Sequence, residues 1–206
     1  MSQRTSHFYR LVTVPAFYTA FQNILGAQRA RKRLIEEHYQ IAPDLRVLDV
    51  GCGPADLLEL LPPCEYTGID LNPEHIDAAR NKYGNRGEFE CRDVAELEAE
   101  NRGVFDRILF SGLLHHLDDN VASKLLGVCT TLLAPGGILV GHEPVYVTHQ
   151  NPIARWMKNR DSGQNIRNEE GYSALFLQLD GRLSITHYDD LIRIPYNHIV
   201  LSWQTN

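Results

Sequence analysis

Val47-Leu48-Asp49-Val50-Gly51-Cys52-Gly53-Pro54-Ala55-Asp56 is the stretch that decides the fold. A short apolar run of strand character enters a bend with two glycines one residue apart, and helix-compatible residues follow. Glycine is needed where a backbone turns sharply or where a ligand must approach the main chain. Such a turn occurs in several nucleotide-binding folds and is weak evidence alone. The dinucleotide fingerprint wants a third glycine three residues after the second, and this chain has Asp56 there. A carboxylate beside a helix N-terminus repels a pyrophosphate, which that position otherwise attracts. The bend therefore suits a nucleoside without phosphates. Asp70 follows Asp49 by 21 residues, at the end of the next predicted strand. A carboxylate there can accept both hydroxyls of a ribose. Asp93, just past the third predicted strand, suits an adenine amino group.

Outward from this bend, β-rich runs alternate with helical ones. Strands are predicted over Arg46–Val50, Tyr66–Asp70, Glu88–Cys91, Phe105–Phe110 and Ile138–Gly141, with helices over Pro54–Leu61, Pro73–Tyr83 and Asp118–Leu133 and a short helical turn near Val94–Leu97. In the last long helix, Val121, Leu125, Val128 and Leu132 are expected to form the buried stripe. Asn72-Pro73 reads as an N-cap and first turn, and Pro135-Gly136-Gly137 as a break. The alternation implies an α/β fold, a Rossmann-like doubly wound and mostly parallel sheet with helices on both faces. Two final strands, Arg182–Asp190 and Tyr196–Trp203, are close enough to pair antiparallel, and Glu169–Leu179 reads as a helix. Residues 1–43 carry no strand pattern. Val14, Phe17, Phe21, Ile24 and Leu25 recur as one helix face, so an N-terminal helical cap is expected over 1–43 and the core over 44–206, with a lid-like insertion at about 144–168. Arg29, Arg31, Lys32 and Arg33 read as a solvated helix face.

The chain has 206 residues, 43% hydrophobic and 22% charged, with net charge −6. That length supports a core without staples. The composition excludes a disordered chain, and the acidic balance argues against a nucleic-acid partner, which needs a basic footprint. No apolar run reaches the ~18 residues of a membrane span, so no membrane partner is expected, and Met1–Arg10 lacks a signal peptide's apolar stretch. Cys52, Cys64, Cys91 and Cys129 form no C-x-x-C pair and read as reduced thiols of a cytoplasmic protein, monomeric or homodimeric.

Five segments, in order, resemble the motifs of class I S-adenosylmethionine-dependent methyltransferases. These are Asp49-Val-Gly-Cys-Gly53, Gly68-Ile-Asp70, Cys91-Arg-Asp93, Phe105 through Asp118, and Leu133-Ala-Pro-Gly-Gly-Ile-Leu-Val140. They span about residues 44–143. Ala55 departs from the pattern, since many members carry a further glycine there. The resemblance implies S-adenosylmethionine as cofactor and a small-molecule acceptor. It places Gly51, Cys52 and Gly53 against the methionine part and Asp49 near its amino group. Asp70 and Leu71 would flank the ribose, Asp93 and Val94 the adenine, and Ser111 the sulfonium. The plainer alternative is that Asp49, Asp70 and Asp93 only cap helices.

Methyl transfer from a sulfonium is an in-line displacement in which the protein aligns the reactants and excludes water. No carboxylate follows the fourth strand, where metal-dependent members place one. A cluster of His115, His116, Asp118, His142 and Glu143 meets no ligand spacing, so a metal-independent reaction is expected. A hydroxyl or ammonium acceptor needs a base. His115 is the first candidate and Glu143 the second, the latter also as an anchor for a cationic acceptor. Acceptor contacts are expected from Tyr18, in the N-terminal segment, and from Tyr146 and Arg167 in the insertion. Arg167 would act as a fork for a carboxylate or amide, unless the insertion is a self-bonded lid. Two other functions remain open: a non-methylating cyclase or regulator on the same cofactor fold, and a nicotinamide-dependent oxidoreductase.

Overall fold

Val47, Leu48 and Val50 are β-branched or apolar, and burial on both faces selects them for a central strand. In the computed structural model, which describes residues 26–97, 102–159 and 163–205, they lie in β1 (Arg46–Val50). The expected N-terminal helix face and Tyr18 lie outside those residues. Strands β2 (Glu65–Asp70), β3 (Glu88–Cys91), β4 (Phe105–Ser111) and β5 (Leu133–Tyr146) pair in parallel with their neighbours, whereas β8 (His198–Thr205) is antiparallel to both β5 and β7 (Gly181–Tyr188). The order is β3-β2-β1-β4-β5-β8-β7, with a two-residue β6 (Arg167–Asn168) pairing β5. The expected sheet is thus present. Its antiparallel last strand, β8, lies between β5 and β7.

Alternate residues of the central strands divide the core. Leu48, Val50, Ile108, Phe110 and Leu139 face α3 (Asp119–Leu132) and Tyr172 of α5 (Glu169–Ala174). Val47, Leu109, Ile138 and Val140 face α1 (Ala27–Leu34) and α2 (Pro73–Tyr83). Asn72 Oδ1 accepts the Glu74 N–H at 2.9 Å and Pro73 opens the helix, as its sequence predicts. Arg29 and Lys32 are solvated, while Ala30 and Leu34 of the same helix are buried.

Three expectations shift. Residues 54–61 form only a tight 3-10 turn, Asp56–Leu60, because Leu61 precedes Pro62 and is held extended. The stripe of α3 is Ala122, Leu126, Cys129 and Leu132; Val121 is 44% exposed. Asp118 accepts the Val121 N–H at 2.9 Å and caps the helix. The helix from Glu169 ends at Ala174 and continues as 3-10 turns, with Leu175 bonding Tyr172 and Phe176 bonding Ser173.

The insertion after β5 contains α4 (Pro152–Lys158) and closes on the strand that launched it, since β6 pairs Val145 and Tyr146. The four cysteines are free thiols. Among the described residues, no helix is long and apolar enough to cross a membrane.

Candidate active site

The carboxyl ends of β1, β2 and β4 meet where the order reverses, and parallel sheets of this kind bind ligands there. Gly51 and Gly53 adopt left-handed φ angles of 71° and 55°. A Cβ on Gly51 would press on Leu113, whereas at Gly53 the space is open. The Asp70 carboxylate accepts the Gly53 N–H at 2.9 Å and the Asn72 N–H at 2.8 Å, one on each oxygen. It is thereby fixed at the rim of the bend, and His75 Nδ1 lies 3.5 Å from the oxygen that accepts from Asn72. Leu71 beside it is 71% exposed, an apolar surface at the mouth of the crevice.

Asp49 is buried and accepts the Tyr66 hydroxyl at 2.7 Å. Burial pushes its carboxyl up to about 7, with the Asp70 charge adding to the rise and the tyrosine opposing it. Asp93 accepts the Ala95 N–H at 2.9 Å, so the capping alternative does describe that oxygen; Val94 is buried behind it. Cys52 is half-buried, and its thiol is pushed up by burial and by Asp49 and Asp70.

These residues fit a phosphate-free cationic nucleoside. Three carboxylates stand at adjacent strand ends, and the open side of Gly53 admits a ligand to the backbone. Asp56 is ion-paired with Arg31 at 3.7 Å and Lys82 at 3.4 Å, so its charge alone does not decide against a pyrophosphate. The stronger argument is the absence of a helix to receive one. The bend leads into a five-residue 3-10 turn in which the Leu58 N–H already bonds Ala55.

Beyond β4 and β5 the side chains fall into two groups. On one side, Glu143 is wholly buried and accepts the N–H groups of Leu113 (2.8 Å), Leu114 (2.7 Å) and His115 (3.3 Å) and, at 2.6 Å, His115 Nδ1. It is the staple of the β4 loop. Both of its oxygens are engaged within the fold, where its sequence position suggested a free base or cation anchor. His115 is 6% exposed, its carbonyl accepts the Asn165 N–H at 2.9 Å, and a Cβ on Gly163 would overlap its ring. His116 is exposed and its ring lies 4.1 Å from that of His115.

Arg167 corrects another expectation. Its Nε and Nη2 bond Asp119, Nη1 bonds the carbonyls of Leu114 and Asn165, and Nη2 also bonds Leu117. All five donors are used, so none is left to fork an acceptor carboxylate. The self-bonded lid is the observed arrangement. Tyr146 donates to Asn159 Oδ1 at 3.1 Å, within the insertion. Tyr18 lies outside the described residues.

On the other side, Ser111 Oγ and His142 Nδ1 each lie 3.2 Å from the Tyr39 hydroxyl. Tyr39 closes a π-helical turn, Ile35–Tyr39, that extends α1. Neither Tyr39 nor a polar role for His142 outside a metal cluster was legible in the sequence, since the π turn has no periodic signature. Among the described residues, no three His, Cys, Asp or Glu side chains are grouped to hold a metal ion.

The family described as "Methyltransferase domain" matches residues 47–137, the bend through the turn before β5. Over that stretch the chain resembles a methyltransferase domain. Over 102 residues it is 36% identical to a ubiquinone biosynthesis O-methyltransferase of Xanthomonas campestris pv. campestris, covering 47% of the chain and 42% of that protein. The alignable part of the chain thus spans under half the length of the curated relatives it matches. The methyltransferase fold extends further than the sequence match. A SAM-dependent methyltransferase from Archaeoglobus fulgidus superposes with TM-score 0.69 at 17% identity, covering 91% of this chain and 99% of that one. The cyclase SpnF superposes with TM-score 0.68 at 16% identity, covering 86% and 81%.

Proposed function

We propose that the chain is a cytoplasmic methyltransferase that binds S-adenosylmethionine in the crevice at Gly51–Gly53 and Asp70 and methylates a small molecule without a metal ion. The observation that carries this reading is the Asp70 carboxylate, pinned by two backbone N–H groups at the lip of an open glycine bend. Asp70 would hold the ribose hydroxyls, with Leu71 beside it. Asp93 and Val94 would flank the base, and Gly51, Cys52 and Gly53 would border the methionine part. Asp49 would face its ammonium, a neighbour that favours the ionised carboxylate.

S-adenosylmethionine, when bound, supplies an activated methyl group. The protein's part is to orient the acceptor, exclude water and remove a proton. Relatives named O-methyltransferases support an oxygen acceptor. His115 is the proposed base: the Glu143 carboxylate accepts its Nδ1–H, leaving Nε2 as the basic nitrogen of that tautomer. Glycine at 163 lets the insertion close over this imidazole, which serves water exclusion.

Calorimetry with S-adenosylmethionine, S-adenosylhomocysteine and NAD tests the cofactor. The first two should bind and NAD should not. Incubation with a panel of small phenols and alcohols should then release S-adenosylhomocysteine. Binding without release across the panel would favour a non-methylating protein on this fold, and heat from NAD alone would overturn the reading.

A further inference from the structure

The Ser111, Tyr39 and His142 side chains form a hydrogen-bonded row across the ends of β4, the π turn and β5. Its geometry is set by the backbone. Ser111 pairs with His142 in the parallel register, and the Gly112 N–H bonds the His142 carbonyl at 2.9 Å. Tyr39 reaches them because the π turn places it inward and Gln40 then turns the chain out in a left-handed conformation, φ 49°. Arg107 Nε bonds the Tyr39 carbonyl at 3.2 Å, and the tyrosine side chain is wholly buried. A buried phenol with a hydroxyl on one side and an imidazole on the other has two possible directions of donation.

The stronger pairing decides between them. A phenol is a better donor than an aliphatic alcohol, and a neutral imidazole nitrogen is a better acceptor than an alcohol oxygen. Tyr39 therefore donates to His142 Nδ1 and accepts from Ser111. We infer that Tyr39 and His142 are positioning residues that draw the Ser111 hydroxyl hydrogen inward and leave the serine lone pairs facing the crevice. This rests on the proposed cofactor site, which puts Ser111 beside the sulfonium. Lone pairs at that point favour a ligand that brings polarised hydrogens, a methylsulfonium, over the neutral thioether. His142 remains uncharged, as the row requires: burial lowers it to about 3, with His198, Arg31 and His115 adding to the effect and Glu143 opposing it.

Two measurements test the inference. The first is the imidazole nitrogen spectrum of the ligand-free protein, with His142 assigned by its disappearance in His142→Asn. His142 should be the Nε2–H tautomer in the wild type, and Tyr39→Phe should shift its population. An Nδ1–H tautomer in the wild type, or one indifferent to Tyr39→Phe, overturns the inference. The second is affinity for S-adenosylmethionine against S-adenosylhomocysteine. Tyr39→Phe and Ser111→Ala should each cut the preference for the sulfonium roughly two- to fivefold, the scale of weak C–H···O contacts. The double variant should lose no more than either single one. Additive losses, or equal losses for both ligands, overturn it. If wild-type protein binds neither nucleoside, the proposed function falls, and the tautomer measurement still decides whether the row is polarised as described.

Discussion

Asp49 and His142 are buried titratable groups displaced in opposite directions, and together they shape stability against pH. The Asp49 carboxyl lies near 7 in the fold and near 3.9 unfolded, so between those values the folded state holds the extra proton and stability falls as pH rises. His142 lies near 3 folded and near 6.5 unfolded, so from pH 3 to 6.5 the unfolded state holds the extra proton and stability rises with pH. Each contributes up to ~1.4 kcal/mol per pH unit, and from about pH 4 to 6.5 the two oppose each other. Urea unfolding of Asp49→Asn should therefore show stability rising over that interval more steeply than the wild type, and His142→Gln should show it falling. Parallel curves for all three proteins would contradict the burial described here. Asp70→Ala should weaken S-adenosylmethionine binding by about 1–3 kcal/mol in calorimetry, the scale of a lost buried acceptor. The bend, Asp70 and Asp93 were legible because glycines and strand-end acids sit at fixed places in an α/β alternation. The engagement of Arg167 and Glu143 was not, because sequence names a donor or acceptor without naming the backbone groups it meets.

At the scale of elements, the apolar composition of α3 does not fix which of its faces is buried. Val121, Leu125 and Val128 and the true stripe of Ala122, Leu126 and Cys129 differ by one position, and composition alone permits either. Leu126→Ala should cost about 2–5 kcal/mol and Val121→Ala within about 0.5 kcal/mol in denaturant unfolding. Similar costs would mean the helix is rotated. The β4 loop depends on Glu143. Glu143→Leu leaves three amide donors and an imidazole without their acceptor and should lower stability by at least about 2 kcal/mol. Ala55 is a subtler case. It holds a left-handed φ of 56° while wholly buried, so Ala55→Gly should relieve backbone strain and lose a packed methyl in comparable amounts. Ala55→Val has no such compensation.

For the whole molecule, the parallel direction of the first five strands followed from the alternation of patterns, and the antiparallel final pair from the closeness of its two strands in the chain. What the pattern did not carry was where β8 would insert. Short-range periodicity carries no information about which edge a strand will choose, and that choice depends on residues far apart in the chain. The insertion of β8 between β5 and β7 has a consequence for biogenesis. As synthesis proceeds, β7 exists before the strand that joins it to the rest of the described sheet, and β5 keeps one row of amides and carbonyls open until residues 198–205 emerge. A nascent or truncated chain ending before His198 should therefore be captured by chaperones or precipitate, whereas the same chain carrying those eight residues should become protease-resistant in one step.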